Sequence, residues 1–311
     1  MNAKKLIHEN LDFPDIAHSK SAFFARKLAR VGMSEIELLV QLKTSRGIFL
    51  TPARADAYVS LDVPEAKGIH MSRLFLALQN EMHEREFSIE ACHHIVDQFL
   101  VSHAGLSSNA FLNIKFELPL LRKALISDNR GPRLYPVQCS FKNENQKRET
   151  RIKIEVLYSS TCPCSAALAR QLIQNKFSSD FTTDKNIDKN KILEWLGSEQ
   201  GIMATPHGQR SRGTVEVILK DPLKTFSFES LIDAIETAIK TPVQTTVKRE
   251  DEQEFARLNG GHLMFAEDAA RTMAEVLKNQ PDIAGFRVEA RHVESLHAHD
   301  AVAVAEENFC V

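Results

Sequence analysis

The stretch Arg151-Ile152-Lys153-Ile154-Glu155-Val156-Leu157-Tyr158 reads as a β-strand with one buried face. Ile152, Ile154 and Val156 alternate with Lys153 and Glu155, the period of two that a half-buried strand imposes. The segment opens the second half of the chain. Downstream, residues 214–219 alternate Val215 and Val217 against Glu216 and Ile218. A helix follows, with Phe228, Leu231, Ile232, Ile235 and Ile239 along one stripe. Another carries Phe265, Ala269, Met273, Val276 and Leu277. Strands predicted at 285–293 and 297–305 close this half.

Upstream the same order occurs. Residues 35–43 and 55–62 alternate as strands. Leu74, Phe75, Leu78 and Met82 share one helical face. A second helix is predicted from the N-cap Ser88 to the stop at Gly105, with Cys92, Ile95, Val96, Phe99 and Leu100 inward. Strands return at 109–118 and 135–143. Each half therefore reads strand, strand, helix, helix, strand, strand. This predicts an α+β fold of two tandem units, each an antiparallel sheet with two helices packed on one face. The predicted boundaries are an N-terminal extension at 1–33, with weak helical content around 22–31, a first unit at 34–147 and a second at 148–311. A polar insertion around 171–203 interrupts the second unit and holds a short helix at 192–196.

The chain has 311 residues, with Lys plus Arg 39 and Asp plus Glu 41, so its formal charge is −2. That balance excludes a nucleic-acid or membrane-surface binder acting through bulk basicity. No apolar run is long enough to span a membrane. Lys4, Lys5, His8 and Glu9 open the chain with no apolar run after them, unlike a secretory signal. Five cysteines, an odd number at irregular spacing, argue against a disulfide framework and for a reducing, cytoplasmic setting.

Six clusters could carry chemistry. Ser159-Ser160-Thr161-Cys162-Pro163-Cys164-Ser165 joins a strand to a helix start, where a thiolate can ligate a metal or attack an electrophilic carbon. Thr205-Pro206-His207-Gly208-Gln209-Arg210-Ser211 places a histidine in a turn before a strand. Arg249-Glu250-Asp251-Glu252-Gln253-Glu254 lies just before a predicted helix. There acids answer the helix dipole, and any one could also serve as a ligand. Glu267 lies off its helix's apolar stripe, and its residues alone read as a surface pair with Arg271. In the predicted strand at 297–305, His297 and His299 share one face, while Leu296, Val302 and Val304 share the other, which would be core. Two such histidines suit a metal or a structural pair. Finally, Gly68-Ile69-His70-Met71-Ser72-Arg73 could hold phosphate oxygens, or simply cap a helix.

In order, the segments 68–73, 160–165, 207–211, 248–252, 265–268 and 294–300 resemble GTP cyclohydrolase I of type IB, the prokaryotic form. The resemblance implies the tunnelling fold, with two units per chain and a homotetramer whose active sites lie at subunit interfaces. It also implies hydrolysis of GTP to 7,8-dihydroneopterin triphosphate and formate, the entry step to tetrahydrofolate, with a divalent metal (zinc, manganese or iron(II)). By resemblance, Cys162, His207, Glu252 and His297 surround the metal, and His297 also moves protons. Cys164 is the second essential thiol, placed against the purine, and Glu267 anchors guanine. That role replaces the surface-pair reading of Glu267. Arg73 and Arg210 are candidates for the triphosphate on charge and loop position. Two features depart from the family: the Cys162-to-His207 spacing is lengthened by the polar insertion, and Ala166 stands where many members have lysine.

Two rival readings remain at this stage. One is another tunnelling-fold enzyme, such as the nitrile reductase of the queuosine pathway, in which His207 and His297 would have no task. The other is a structural zinc site of Cys162, Cys164, His297 and His299, which would leave Glu252 and His207 idle.

Overall fold

The computed structural model describes residues 21–182 and 186–309; the opening ten residues and Cys310 lie outside that range. The elements, in chain order, are β1 (Leu28–Thr44), β2 (Gly47–Leu61), α1 (Met71–Glu84), α2 (Ile89–Ser102), β3 (Asn109–Lys123), β4 (Arg130–Glu144) and β5 (Lys147–Thr161). There follow α3 (Pro163–Asp180), α4 (Lys189–Leu196), β6 (Gly208–Leu219), α5 (Phe228–Ile239), α6 (Arg249–Gly261), α7 (Ala266–Lys278), β7 (Ile283–His292) and β8 (Ala301–Glu307). The strands hydrogen-bond in sequence order from β1 to β8. This is the predicted α+β architecture.

The chain divides into two compact units. One holds the described residues up to Phe116 together with Gln138–Thr150 and Pro222–Thr225. Here β1 and β2 form an antiparallel hairpin whose register closes at Thr44 and Gly47. Gly47 takes φ +129°, a conformation that a side chain would strain. The weak helical content expected around 22–31 is absent: β1 starts at Leu28, because pairing with β2 overrides a marginal local preference. Ser88 caps α2 as predicted, its hydroxyl accepting from the Ala91 amide. Leu74 and Leu78 of α1 and Cys92, Ile95, Val96 and Phe99 of α2 are fully buried. Each such side chain contributes roughly 1.5–3 kcal/mol of transfer free energy.

The other unit holds Glu117–Val137, Arg151–Asp221 and Phe226 onward. Its core joins Ile152, Ile154 and Val156 of β5, Val215 and Val217 of β6 and Val288 and Ala290 of β7 to one face each of α5 and α7. From those helices come Leu231, Ile232, Ile235, Ile239, Ala269, Met273 and Leu277. Gly213 makes the approach of α7 possible, since a Cβ there would lie 2.6 Å from the Met273 sulfur.

Three boundaries differ from expectation. The short helix predicted at 192–196 extends to Lys189–Leu196 as α4, and ahead of it α3 runs from Pro163 to Asp180, into the predicted insertion. Phe177, Phe181 and Trp195 form an aromatic cluster between these helices, and the Trp195 indole donates to Asp180 at 2.9 Å. The acidic run at 249–254 lies inside a helix, α6, rather than ahead of one. Asp251 explains why α6 starts there. Its fully buried carboxylate accepts from the amides of Ile126, Ser127 and Lys248 at 2.7–2.8 Å and from the Ser127 hydroxyl at 2.6 Å. The third difference is at β8, which begins only at Ala301. His297 and His299 therefore lie in the loop before it, and Leu296, Val302 and Val304 are exposed rather than core. The cause is parity: Ala301, Ala303 and Ala305 share the face of buried Val288 and Ala290 of β7, against which α7 packs, so Val302 and Val304 fall on the opposite face.

Candidate active site

The site grows from the end of the β5–β6 pair. Ser160 faces Gln209 and Thr161 faces Gly208 in register, so the chain leaves β5 just where it enters β6. Cys162 is the N-cap of α3 and Pro163 follows inside its first turn, where a missing amide proton costs nothing. The Cys162 amide donates to the His207 carbonyl at 3.3 Å, and the His207 amide donates to Ser165 Oγ at 3.1 Å. The predicted thiol and imidazole are thus held on one backbone frame. The Cys162 thiol is half-buried and Cys164 is exposed one turn position further on.

Two more elements converge on this frame. The Met264 amide donates to the Thr161 carbonyl at 3.3 Å, setting the start of α7 against the end of β5. Glu267 follows in the first turn of α7. Arg271 does not pair with it: its guanidinium bonds Asp268 at 3.3 Å, leaving the exposed Glu267 carboxylate without a hydrogen bond or ion pair among the described residues. From the β7–β8 loop, Ser295 Oγ donates to the Gly208 carbonyl at 3.4 Å. Beside it, Glu294 Oε2 lies 3.9 Å from Nδ1 of His207 and 3.9 Å from Nδ1 of His297. The His297 ring stacks on His299 with centroids 4.9 Å apart.

Glu294 is the residue whose role sequence reasoning missed. It opens the His297 cluster, but its importance comes from burial. Oε2 is buried and has no hydrogen-bond partner, an expensive state for a carboxylate oxygen unless a cation or proton donor answers it. A second missed group is the polar layer below His207. Nδ1 of His207 is 3.0 Å from Gln209 Oε1, Gln209 Nε2 donates to Ser160 Oγ at 2.7 Å, and Ser160 Oγ is 2.7 Å from Ser211 Oγ. Nearby, the buried His292 ring meets the Tyr158 hydroxyl at 3.1 Å. Burial pushes the His292 pKa down, against the opposing pull of Glu294, Glu267 and Asp268.

Cys162, His207 and His297 are therefore gathered at one end of this unit, with Glu267 at the neighbouring helix start. Glu252 is exposed in the first turn of α6, and its carboxylate makes no hydrogen bond or ion pair among the described residues. Arg210 is exposed on β6, opposite Ser159. Arg73 belongs to the other unit, where its guanidinium donates to the Ser102 carbonyl at 2.7 Å and closes the end of α2. Among the described residues, no group of three or more His, Cys, Asp or Glu side chains is close enough to hold a metal ion.

The fold is that of the tunnelling-fold proteins. Uricase from Arthrobacter globiformis superposes with a TM-score of 0.52 over 90% of this chain and 93% of its own, at 8% identity. The particular family follows from sequence. The model for type I GTP cyclohydrolase folE2 matches residues 13–303, and the chain belongs to that family. GTP cyclohydrolase FolE2 of Pseudoalteromonas translucida is 49% identical, covering 94% of this chain and 96% of the relative. The protein of the same name from Bdellovibrio bacteriovorus is 46% identical, covering 93% and 94%.

Proposed function

We propose that this chain is a GTP cyclohydrolase of type IB, converting GTP and water to 7,8-dihydroneopterin triphosphate and formate, the first step toward tetrahydrofolate. Its family membership sets the activity class. The observation that carries the site reading is the joint of Cys162, His207 and Glu294. There a half-buried thiol and an imidazole share one backbone frame, beside a buried carboxylate oxygen that lacks a partner.

The donors suit a divalent metal in kind: a thiolate, imidazoles and carboxylates are the ligand types that zinc and iron(II) take, and manganese accepts the oxygen and nitrogen members. The orphaned Glu294 oxygen fits a cation nearby. Cys162, His207, His297 and Glu252 would hold the ion. Once bound, it supplies Lewis-acid activation of water.

The remaining roles belong to the chain's own groups. The Glu267 carboxylate, free of Arg271, accepts from the guanine N1–H and 2-amino group, two adjacent coplanar donors. The exposed Cys164 thiol lies against the purine. Attack at C8 opens the imidazole ring and expels that carbon as formate, and the ribose carbons then reclose as the pterin ring. Protons must move at each stage, and the accessible His297 ring, paired with Glu294, is placed to carry them. Arg210 and Arg73 bind the triphosphate.

The working form is a cytoplasmic homotetramer with active sites at subunit interfaces. The outer edge of β8, with Val302 and Val304 exposed, supports an assembled state, because an unpaired strand edge is a template for another chain. Incubation of the metal-loaded protein with GTP, followed by oxidation, should give neopterin fluorescence. No such product with zinc, manganese or iron(II) would defeat the assignment. Sedimentation analysis checks the tetramer.

A further inference from the structure

Gln209 and Ser211 occupy inward positions of β6, the same parity as Val215 and Val217. Ser160 is the inward residue facing Gln209 across β5. All three are buried: Gln209 is 8% exposed, and Ser160 and Ser211 are 0%. Three polar side chains on a core face are costly unless each is hydrogen-bonded, and a chain of bonds satisfies them. That chain has a direction. Gln209 Nε2 donates to Ser160 Oγ, which leaves Oε1 as the amide's acceptor end, 3.0 Å from His207 Nδ1. Glu294 Oε2, also an acceptor and without a hydrogen bond, lies 3.9 Å from the same nitrogen and 3.9 Å from His297 Nδ1. Two acceptor oxygens facing one ring nitrogen favour a proton on it, since a lone pair there would be repelled by both.

We propose that Gln209 is a positioning residue: anchored by Ser160, its amide oxygen, with Glu294, keeps the proton on Nδ1 of His207 and so presents Nε2 as the lone-pair nitrogen available to a metal. This rests on the reading of His207 as a metal ligand. A ligating histidine needs its other nitrogen occupied by a donor bond, which fixes both tautomer and ring orientation. Gln209 does this from within the strand, whereas His207 itself lies just ahead of it.

The test uses the metal-free, 15N-labelled full chain, at a pH where the His207 ring is neutral. Long-range proton–nitrogen correlation then reports which ring nitrogen carries the proton, and loss of the signals in His207→Asn assigns them. Wild type should show Nδ1–H. Gln209→Met, similar in volume but without an acceptor, should shift the population toward Nε2–H. It should also weaken zinc binding, measured by chelator competition, by roughly 10–100-fold. Gln209→Glu keeps the acceptor and should keep the Nδ1–H form, with a smaller loss of zinc affinity than Gln209→Met. An Nε2–H ring in wild type, or an unchanged tautomer in a folded Gln209→Met, overturns the proposal. Unaltered zinc affinity in His207→Ala overturns the ligand reading instead, and the tautomer measurement still decides what Gln209 does.

Discussion

The backbone of Cys162 is bonded directly to that of His207, amide to carbonyl at 3.3 Å, although 44 residues, 163–206, with two helices among them, separate the two in the chain. The long insertion therefore leaves the joint intact, because it leaves and re-enters at paired ends of β5 and β6. A side-chain change at either residue should act on the site without unpicking the sheet.

Cys162→Ala should retain the wild-type melting temperature while losing metal affinity by no less than the roughly 10–100-fold that removing a supporting group costs. Cys92→Ala gives the opposite result. Cys92 is fully buried in α2, so its truncation should cost roughly 1 kcal/mol of stability and leave metal binding alone. Melting curves and metal titration on the two variants separate the roles.

Glu267→Ala should bind GTP about a hundredfold more weakly, near 3 kcal/mol for charge-assisted bonds to two donors. Metal content should not change. Calorimetry with GTP and metal analysis check this pair of outcomes; unchanged GTP affinity would remove Glu267 as the guanine anchor. Arg271→Ala should leave GTP binding unaltered, since Arg271 pairs with Asp268.

Asp251→Asn should destabilise the chain at neutral pH and loosen the start of α6. Burial alone would raise the Asp251 pKa, but bonds from the Ser127 hydroxyl and from the Lys248, Ser127 and Ile126 amides outweigh it and hold it well below the carboxylate range. The folded pKa lies below the unfolded one. The stabilisation is therefore fully present above about pH 4 and is lost as pH falls toward the folded value. Denaturant titrations should show the gap between wild type and variant narrowing below pH 4. A gap independent of pH would mean that the carboxylate charge is not what holds the clip.

His93 makes the chain sensitive to mild acid. It is 1% exposed, its Nε2 donates to Thr150 Oγ1 at 2.7 Å, and Thr150 in turn donates to the Pro222 carbonyl. Burial first, then Arg148, lower its pKa from 6.5 to about 4. The unfolded chain takes up this proton earlier than the folded one, so stability falls as pH drops from 6.5 through 4, by on the order of 3 kcal/mol. His93→Gln should flatten that part of the stability profile. An equally steep profile in the variant would place the acid sensitivity elsewhere.

Much of the fold was legible because strand and helix periods repeat in order. Ile152, Ile154 and Val156 alternate for burial, and Leu231, Ile232 and Ile235 stripe a helix, wherever the partner surface lies. The failures share a cause. Val302 and Val304 alternate as well as any core strand, yet they are exposed, because periodicity marks a face without saying what covers it. Glu267 and Arg271 have the spacing of an ion pair, but Asp268 takes the arginine. Glu294 resembled any loop acid until its unpartnered oxygen appeared beside two imidazoles.

The sequence alone determined the class of the chain: two strand-helix units, a thiol at a strand-to-helix junction, and histidines and acids in the family's order. These are local matters, decided by side-chain period and residue type. Only the tertiary structure decided which polar groups are buried together. Register between β5 and β6 brings Ser160 opposite Gln209, and the return of the β7–β8 loop brings Glu294 to His207. Whether a polar atom is solvated or must find a partner depends on chains distant in sequence, so the protonated nitrogen of His207 is set by the fold and not by its neighbours in the chain.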